Sequence, residues 1–218
     1  MRLQSAIFDM DGTLLDSMPT WRELGSTFLK EAGISATPEQ DRMLHTLADC
    51  DVIPYLREVC GLPWSQQEII DQIIQRMETF YSSQVRPKPG LEKFLSILKM
   101  EGVWMYVATA THRRLTEKAL KTAGIDHYFR GIVTSADAGN HKSESADIYE
   151  MAMRRLQSNK RDTVVFEDAL HAIRTAKAAG FRVAGVYEAT AEQDQPEIQR
   201  LCDYYIRSYE ELVQSETF

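Results

Sequence analysis

The sequence is poor in the features that mark secreted, membrane-bound or nucleic-acid-binding chains. Cysteine is scarce: Cys50, Cys60 and Cys202 are the three among 218 residues. They form no CxxC pair, and so sparse and odd a set builds no disulfide framework. Reduced thiols in a cytoplasmic setting are expected. The first residues, MRLQSAIFDMDG, meet acidic side chains too early for a signal peptide. No apolar run approaches the roughly 20 residues that a membrane-spanning helix needs, so a membrane partner is not expected. There is no basic excess either. The formal net charge is -7, which repels a polyanion and argues against a nucleic acid polymer as partner. Internal repeats and low-complexity tracts are also lacking. The phrases Glu31-Ala32-Gly33-Ile34, Thr122-Ala123-Gly124-Ile125 and Ala178-Ala179-Gly180-Phe181 resemble one another because each reads as a helix end with glycine in the left-handed position.

What is present is the composition of a globular chain. An apolar content of 44% is enough for a buried core and too high for disorder. The length suits one domain, or one core carrying a smaller insert. Short continuous apolar runs occur at residues 4–9, 103–109, 131–135, 163–167 and 182–187, the pattern of strands buried on both faces. Between them lie residues at helical spacing: Leu91, Phe94, Leu95 and Leu98; Leu115, Ala119 and Leu120; Ile148, Met151 and Ala152; Ala172, Ile173 and Ala176. This alternation predicts an α/β fold, a doubly wound parallel sheet with right-handed crossovers and helices on both faces.

One stretch interrupts the alternation. Residues 17–86 carry helical signals and no convincing strand: an apolar stripe of Trp21, Leu24, Phe28 and Leu29, a helix start at Thr37-Pro38, and a capping box from Ser65 to Glu68. The stretch leaves through Arg86-Pro87-Lys88-Pro89-Gly90, a proline-rich exit that reads as a hinge. The expected organisation is a core of residues 1–16 and 87–218, with residues 17–86 as a helical cap acting as a lid.

Four pieces of polar chemistry sit where strands end. Asp9-Met10-Asp11-Gly12-Thr13 follows the first strand. Ligands of open parallel sheets bind beyond the carboxyl ends of the strands, and residues two apart on a strand face the same way, so Asp9 and Asp11 can share one cleft. Two carboxylates repel a phosphate unless a divalent cation intervenes, and carboxylate oxygens suit Mg²⁺. Val107-Ala108-Thr109-Ala110-Thr111 ends the second strand with a hydroxyl and backbone N–H groups that can hold phosphate oxygens. Lys142 follows the third and offers a point charge. Val164-Val165-Phe166-Glu167-Asp168 ends the fourth in two acids that could complete a metal site. Each piece alone has an ordinary structural reading: a turn, a solvated lysine, or a helix cap. Their order and placement together point to one site.

These motifs resemble the haloacid dehalogenase superfamily, in its branch of beta-phosphoglucomutase-like and phosphoglycolate-phosphatase-like proteins with a helical cap. Ile7-Phe8-Asp9-Met10-Asp11-Gly12-Thr13-Leu14 carries the first motif, and Phe166-Glu167-Asp168 with Ala176-Lys177-Ala178-Ala179-Gly180 the fourth. The resemblance implies a Rossmann-like core and a Mg²⁺-dependent phosphohydrolase. In it Asp9 is nucleophile and metal ligand. Asp11 is general acid/base and offers its backbone carbonyl to the metal. Thr109 and the Ala110 backbone bind the transferring phosphoryl group, Lys142 holds both phosphate and Asp9, and Glu167 and Asp168 serve the metal. The implied reaction passes through an aspartyl phosphate and takes a small phosphorylated metabolite: a sugar phosphate, phosphoglycolate or a nucleotide.

Two departures stand out. The third motif reads Lys142-Ser143-Glu144-Ser145-Ala146-Asp147-Ile148-Tyr149, one residue longer than the family pattern and without its prolines. Strict alignment puts Ser143 in the lysine's place, but no other lysine is near, and Asp147 reads as a helix cap rather than a ligand. In addition, Thr13 and Trp21 stand where sugar phosphomutases of this branch carry a valine and a histidine. Simple hydrolysis is therefore favoured over a phosphomutase, with a non-catalytic phosphate-binding protein third. His112 and Arg113 beside the phosphate loop, and His45, Arg42 and Arg57 in the cap, are secondary candidates for substrate contact. His141 and His171 belong to no zinc-like cluster. A monomer is the default expectation, with an oligomer left open.

Overall fold

The computed structural model describes residues 3–44, 47 and 49–214; His45 lies outside them. The chain runs β1 (Ser5–Phe8), α1 (Met18–Glu31), α2 (Pro38–Leu44), α3 (Asp49–Glu58), α4 (Gln66–Ser83), α5 (Leu91–Met100), β2 (Trp104–Thr109), α6 (Arg113–Thr122), β3 (Ile132–Thr134), α7 (Ser135–Ala138), α8 (Asp147–Arg155), β4 (Thr163–Glu167), α9 (Leu170–Ala178), β5 (Arg182–Val186), α10 (Gln195–Leu201), β6 (Tyr204–Ile206) and α11 (Tyr209–Gln214). The six strands form one sheet in the order β3-β2-β1-β4-β5-β6, and every pairing is parallel. The order reverses between β1 and β4, which makes their carboxyl ends the topological switch point.

The sheet is buried on both sides because successive strand residues point to opposite faces. Ala6 and Phe8 join a core with Leu91, Phe94, Leu95 and Leu98 of α5 and Leu115 and Ala119 of α6. Ile7 joins the other, with Ile148 and Ala152 of α8, Ile173 and Ala176 of α9 and Ile198 of α10. The five strands expected from apolar runs are all present. β6 carries too little signal to be expected: it is three residues long, and both its tyrosines are only half-buried.

Four helices and no strand lie among the described residues of 17–86. Pro38 begins α2 as expected. The Ser65 hydroxyl accepts from the Glu68 N–H at 3.2 Å while the Glu68 carboxylate accepts from the Ser65 N–H at 2.7 Å, the anticipated capping box. The chain enters and leaves this stretch side by side: the Asp16 N–H donates to the Arg86 carbonyl at 3.0 Å and the Lys88 N–H to the Leu14 carbonyl at 2.9 Å. No helix among the described residues is long and apolar enough to cross a membrane.

Phe8 and Phe166 stack across the switch point, with ring centroids 4.3 Å apart and planes 18° from parallel. Both are fully buried, so this pair packs the core against the β1–β4 ladder at the switch point. Phe8→Ala should cost about 3–5 kcal/mol, read from the midpoint of urea unfolding. A loss under about 1 kcal/mol would show that the pair does not anchor the sheet.

Candidate active site

The strand register builds the site. Phe8 pairs with Phe166, and the Asp9 N–H donates to the Phe166 carbonyl at 2.9 Å, so Asp9 and Glu167 leave the sheet side by side. Asp168 follows one residue later. One carboxylate oxygen from each of Asp9, Glu167 and Asp168 lies within 4.8 Å of the others, and all three residues are buried. Gly12 permits the close approach of the loop after β1. Its φ is +82°, and a Cβ there would stand 2.3 Å from Asp168 Oδ2. Thr13 then donates its hydroxyl to Asp168 Oδ1 at 2.8 Å.

Lys142 reaches this cluster despite its longer motif. The Glu144 and Ser145 N–H groups both donate to the His141 carbonyl, at 3.0 and 3.1 Å, so a tight turn absorbs the extra residue. The Asn140 side-chain amide donates to Asp147 Oδ2 at 2.7 Å and clasps the two ends of the loop. The ammonium of Lys142, 6% exposed, donates to Asp9 Oδ1 and, at 2.7 Å, to Glu167 Oε1. Tyr149 donates to the same Glu167 oxygen at 2.7 Å. The other Glu167 oxygen accepts from the N–H groups of Asp168 and Ala169, at 3.1 and 3.2 Å. Glu167 thus faces the cluster and holds the two N–H groups just before α9, while α9 itself has no side-chain cap. Asp147 is the first residue of α8, with Ala146 in the cap position and no side-chain cap hydrogen bond to the helix. The expected cap at Asp147 is therefore one residue out of place.

Three carboxylates face one ammonium, so the buried charge does not balance. Burial pushes the Asp9 carboxyl well above the usual range; Lys142 opposes this, and Glu167 and Asp168 add to it. Asp168 is pushed up to about 8, first by burial and then by Glu167, against the Thr13 hydrogen bond. For Lys142 the two carboxylates outweigh burial and raise its value, so it stays charged. Such a set of hard oxygen donors with surplus negative charge fits a divalent cation.

Asp11 points elsewhere. Its Oδ1 accepts from the hydroxyls of Ser17 at 2.6 Å and Tyr81 at 2.5 Å, and its Oδ2 from Thr111 at 2.7 Å. The carboxylate therefore lies outside the three-acid cluster, and the route left for Asp11 to a metal is its backbone carbonyl. Thr109 is buried, and its hydroxyl accepts from the Thr111 N–H at 3.1 Å, leaving its own proton to donate. Ala110 is exposed at the carboxyl end of β2. All the primary candidates thus gather at the ends of β1, β2 and β4 and in the loop before α8.

The secondary candidates fare less well. Arg113 is tied to the Asp137 carboxylate at 2.7 Å and the Ile132 carbonyl at 3.0 Å. His112, Arg42, Arg57, His141 and His171 are exposed, and none joins a metal-like cluster among the described residues. The sequence reading missed Thr13, Ser17, Tyr81 and Tyr149 as site residues. Thr13 and Tyr149 stood inside quoted motifs. Tyr81 carried no local signal, because only the packing of α4 brings it to Asp11. Burial first, then the Asp11 charge, raises the Tyr81 phenol well above its usual value, so it is a hydrogen-bond donor.

The model of the haloacid dehalogenase-like hydrolases matches residues 6–186. The phosphorylated carbohydrates phosphatase of Thermotoga maritima is 26% identical over 185 residues, covering 84% of this chain and 85% of its own. Hexitol phosphatase B of Escherichia coli is 26% identical over 217 residues, covering 97% and 95%. Among solved structures, CbbY from Rhodobacter sphaeroides in complex with xylulose-(1,5)bisphosphate has the same fold. Its TM-score is 0.79 at 23% identity, with 96% of each chain covered. The family match spans both ends of the site, from the strand before Asp9 to the strand after Asp168, and the chain belongs to the haloacid dehalogenase-like hydrolases.

Proposed function

We propose that this chain is a Mg²⁺-dependent phosphatase that hydrolyses a small phosphomonoester, foremost a phosphorylated carbohydrate, through an aspartyl phosphate on Asp9. The observation that carries this reading is the buried group of Asp9, Glu167 and Asp168 with Lys142 inserted among them at the switch point of the sheet. The curated relatives, named for phosphorylated carbohydrates and hexitol phosphates, support the carbohydrate class. Residues 17–86 form the cap in this reading, and closure over the strand ends would exclude bulk water.

Asp9, Glu167 and Asp168 would hold the cation, with the Asp11 backbone carbonyl. When bound, Mg²⁺ would offset the surplus negative charge and draw electron density from a phosphoryl oxygen. Asp9 attacks phosphorus as the bond to the leaving oxygen breaks, which divides one hard displacement into two easier steps. Asp11 gives its proton to that oxygen, then takes one from the water that attacks the aspartyl phosphate and frees Asp9. The Lys142 ammonium and the Thr109 hydroxyl, with the Ala110 N–H, are donors for the equatorial oxygens. Lys142 also opposes the effect of burial on Asp9 and holds its carboxylate in place.

Asp9→Asn should lower phosphate release from the best substrate of a phosphomonoester panel by more than about 10⁴-fold. Asp11→Asn should lower it by about 10²–10⁴-fold. Activity surviving Asp9→Asn would remove Asp9 from the nucleophile's role.

A second expectation needs no substrate. Asp9 and Asp168 are raised in the folded chain above the ordinary 3.8, so folding favours their protonated forms. The contribution of Asp168 to stability is complete below about pH 4 and is lost as pH rises through about 8, its folded value; that of Asp9 is lost in the same direction. With a chelator, the melting temperature should therefore fall between pH 6 and 9 as Asp168 ionises. Excess Mg²⁺ should raise it more at the upper end of that range than at the lower. Parallel curves with and without Mg²⁺, in differential scanning fluorimetry, would remove the cation from this cluster.

A further inference from the structure

The three hydroxyls that hold Asp11 come from different parts of the chain. Ser17 stands just before α1, and Thr111 lies in the turn after β2; both belong to strand-end loops beside the site. Tyr81 is 70 residues away in sequence, fully buried, in the last turn of α4. Its oxygen accepts the indole N–H of Trp21, on α1, at 3.0 Å. That bond occupies a lone pair of the phenol oxygen and leaves its proton to point at Asp11. An unbroken path therefore runs from Trp21 through Tyr81 to Asp11, and both of its donors sit on the helices of residues 17–86. The seat of α4 is fixed in turn by α6: Glu78, one turn before Tyr81, accepts from Arg114 at 2.7 Å and from Lys118 at 3.4 Å.

We propose that Tyr81, set by Trp21, is a positioning residue for Asp11, so that the aim of Asp11 depends on the docking of α4 against the core. This rests on the reading of Asp11 as the group that protonates the leaving oxygen and deprotonates water. Loss of the Tyr81 hydroxyl frees one carboxylate oxygen from the donor that comes with the helical stretch, while Ser17 and Thr111 still bind Asp11. Asp11 keeps its chemistry and loses its aim. The effect is then specific to steps that move a proton through Asp11. Breaking the P–O bond of p-nitrophenyl phosphate is not such a step, because p-nitrophenolate departs as its stable anion.

The test is Tyr81→Phe, which keeps the ring, beside Trp21→Phe. On an alkyl phosphomonoester that the wild type hydrolyses, Tyr81→Phe should lower kcat about 10- to 100-fold, with KM within about threefold. Trp21→Phe should act in the same direction by less. Single-turnover release of p-nitrophenolate, with enzyme in excess, should change by less than about threefold. A single-turnover rate that falls as far as kcat, an effect confined to KM, or an unchanged kcat would overturn the proposal. If the wild type releases no phosphate from any ester, the phosphatase reading fails by itself and melting temperatures judge the contact. Tyr81→Phe should then lower the melting temperature by about 3–8 °C in the native background, and by under about 1 °C beside Asp11→Ala. Equal drops in both backgrounds would show that Tyr81 and Asp11 are not coupled, and would overturn the proposal.

Discussion

The Lys142 ammonium, shut away from solvent between Asp9 and Glu167, is the interaction on which the rest of the site depends. Without it, three carboxylates would share one dry volume, and the cost of burying unpaired charge there is several kcal/mol per group. With it, Asp9 keeps one oxygen engaged and a fixed orientation, and Glu167 keeps a partner beyond the backbone N–H groups that it holds. The loop before α8 has to deliver that lysine. The turn closed on His141 and the clasp between Asn140 and Asp147 serve that one placement.

Around this centre the sheet divides the labour. β1 and β4 are adjacent and in register, so Asp9, just beyond β1, and Glu167, the last residue of β4, meet as a pair of acids. Gly12 and Thr13 then close on Asp168 from the loop after β1. Asp11 sits on the same loop as Asp9 but belongs to a different environment, surrounded by hydroxyls instead of carboxylates. Two aspartates two residues apart thus receive different surroundings, the usual basis for assigning them different chemical roles.

The helical stretch of residues 17–86 is joined to the sheet in three ways. Its ends run side by side and are hydrogen-bonded at Leu14–Asp16 and Arg86–Lys88. Helix α4 packs along α6 through the charges on Glu78, Arg114 and Lys118. Its deepest contact is Tyr81 at Asp11. Apolar residues of the stretch, including Leu24, Phe28, Ile69 and Met77, are continuous with the core on one face of the sheet. The helices are therefore seated on the strand ends by apolar burial, with the hydroxyls of Ser17 and Tyr81 as polar contacts at Asp11.

The sequence by itself determined the alternation of strands and helices, the helical interruption, and the motif residues Asp9, Asp11, Thr109, Lys142, Glu167 and Asp168. These were legible for local reasons. Buried parallel strands read as apolar runs, and a functional side chain at a strand's carboxyl end lies next to its own run. Tertiary structure decided what depends on distance. The three residues of β6 are too few to show periodicity, and only pairing with β5 makes them a strand. Lys142 had an ambiguous alignment, and only the folded loop brings its ammonium to Asp9 and Glu167. Trp21 and Tyr81 looked like members of apolar helix faces, and they largely are. Their polar atoms reach Asp11 because α1 and α4 pack together over the end of β1, a contact between segments 60 and 70 residues apart that no local pattern encodes.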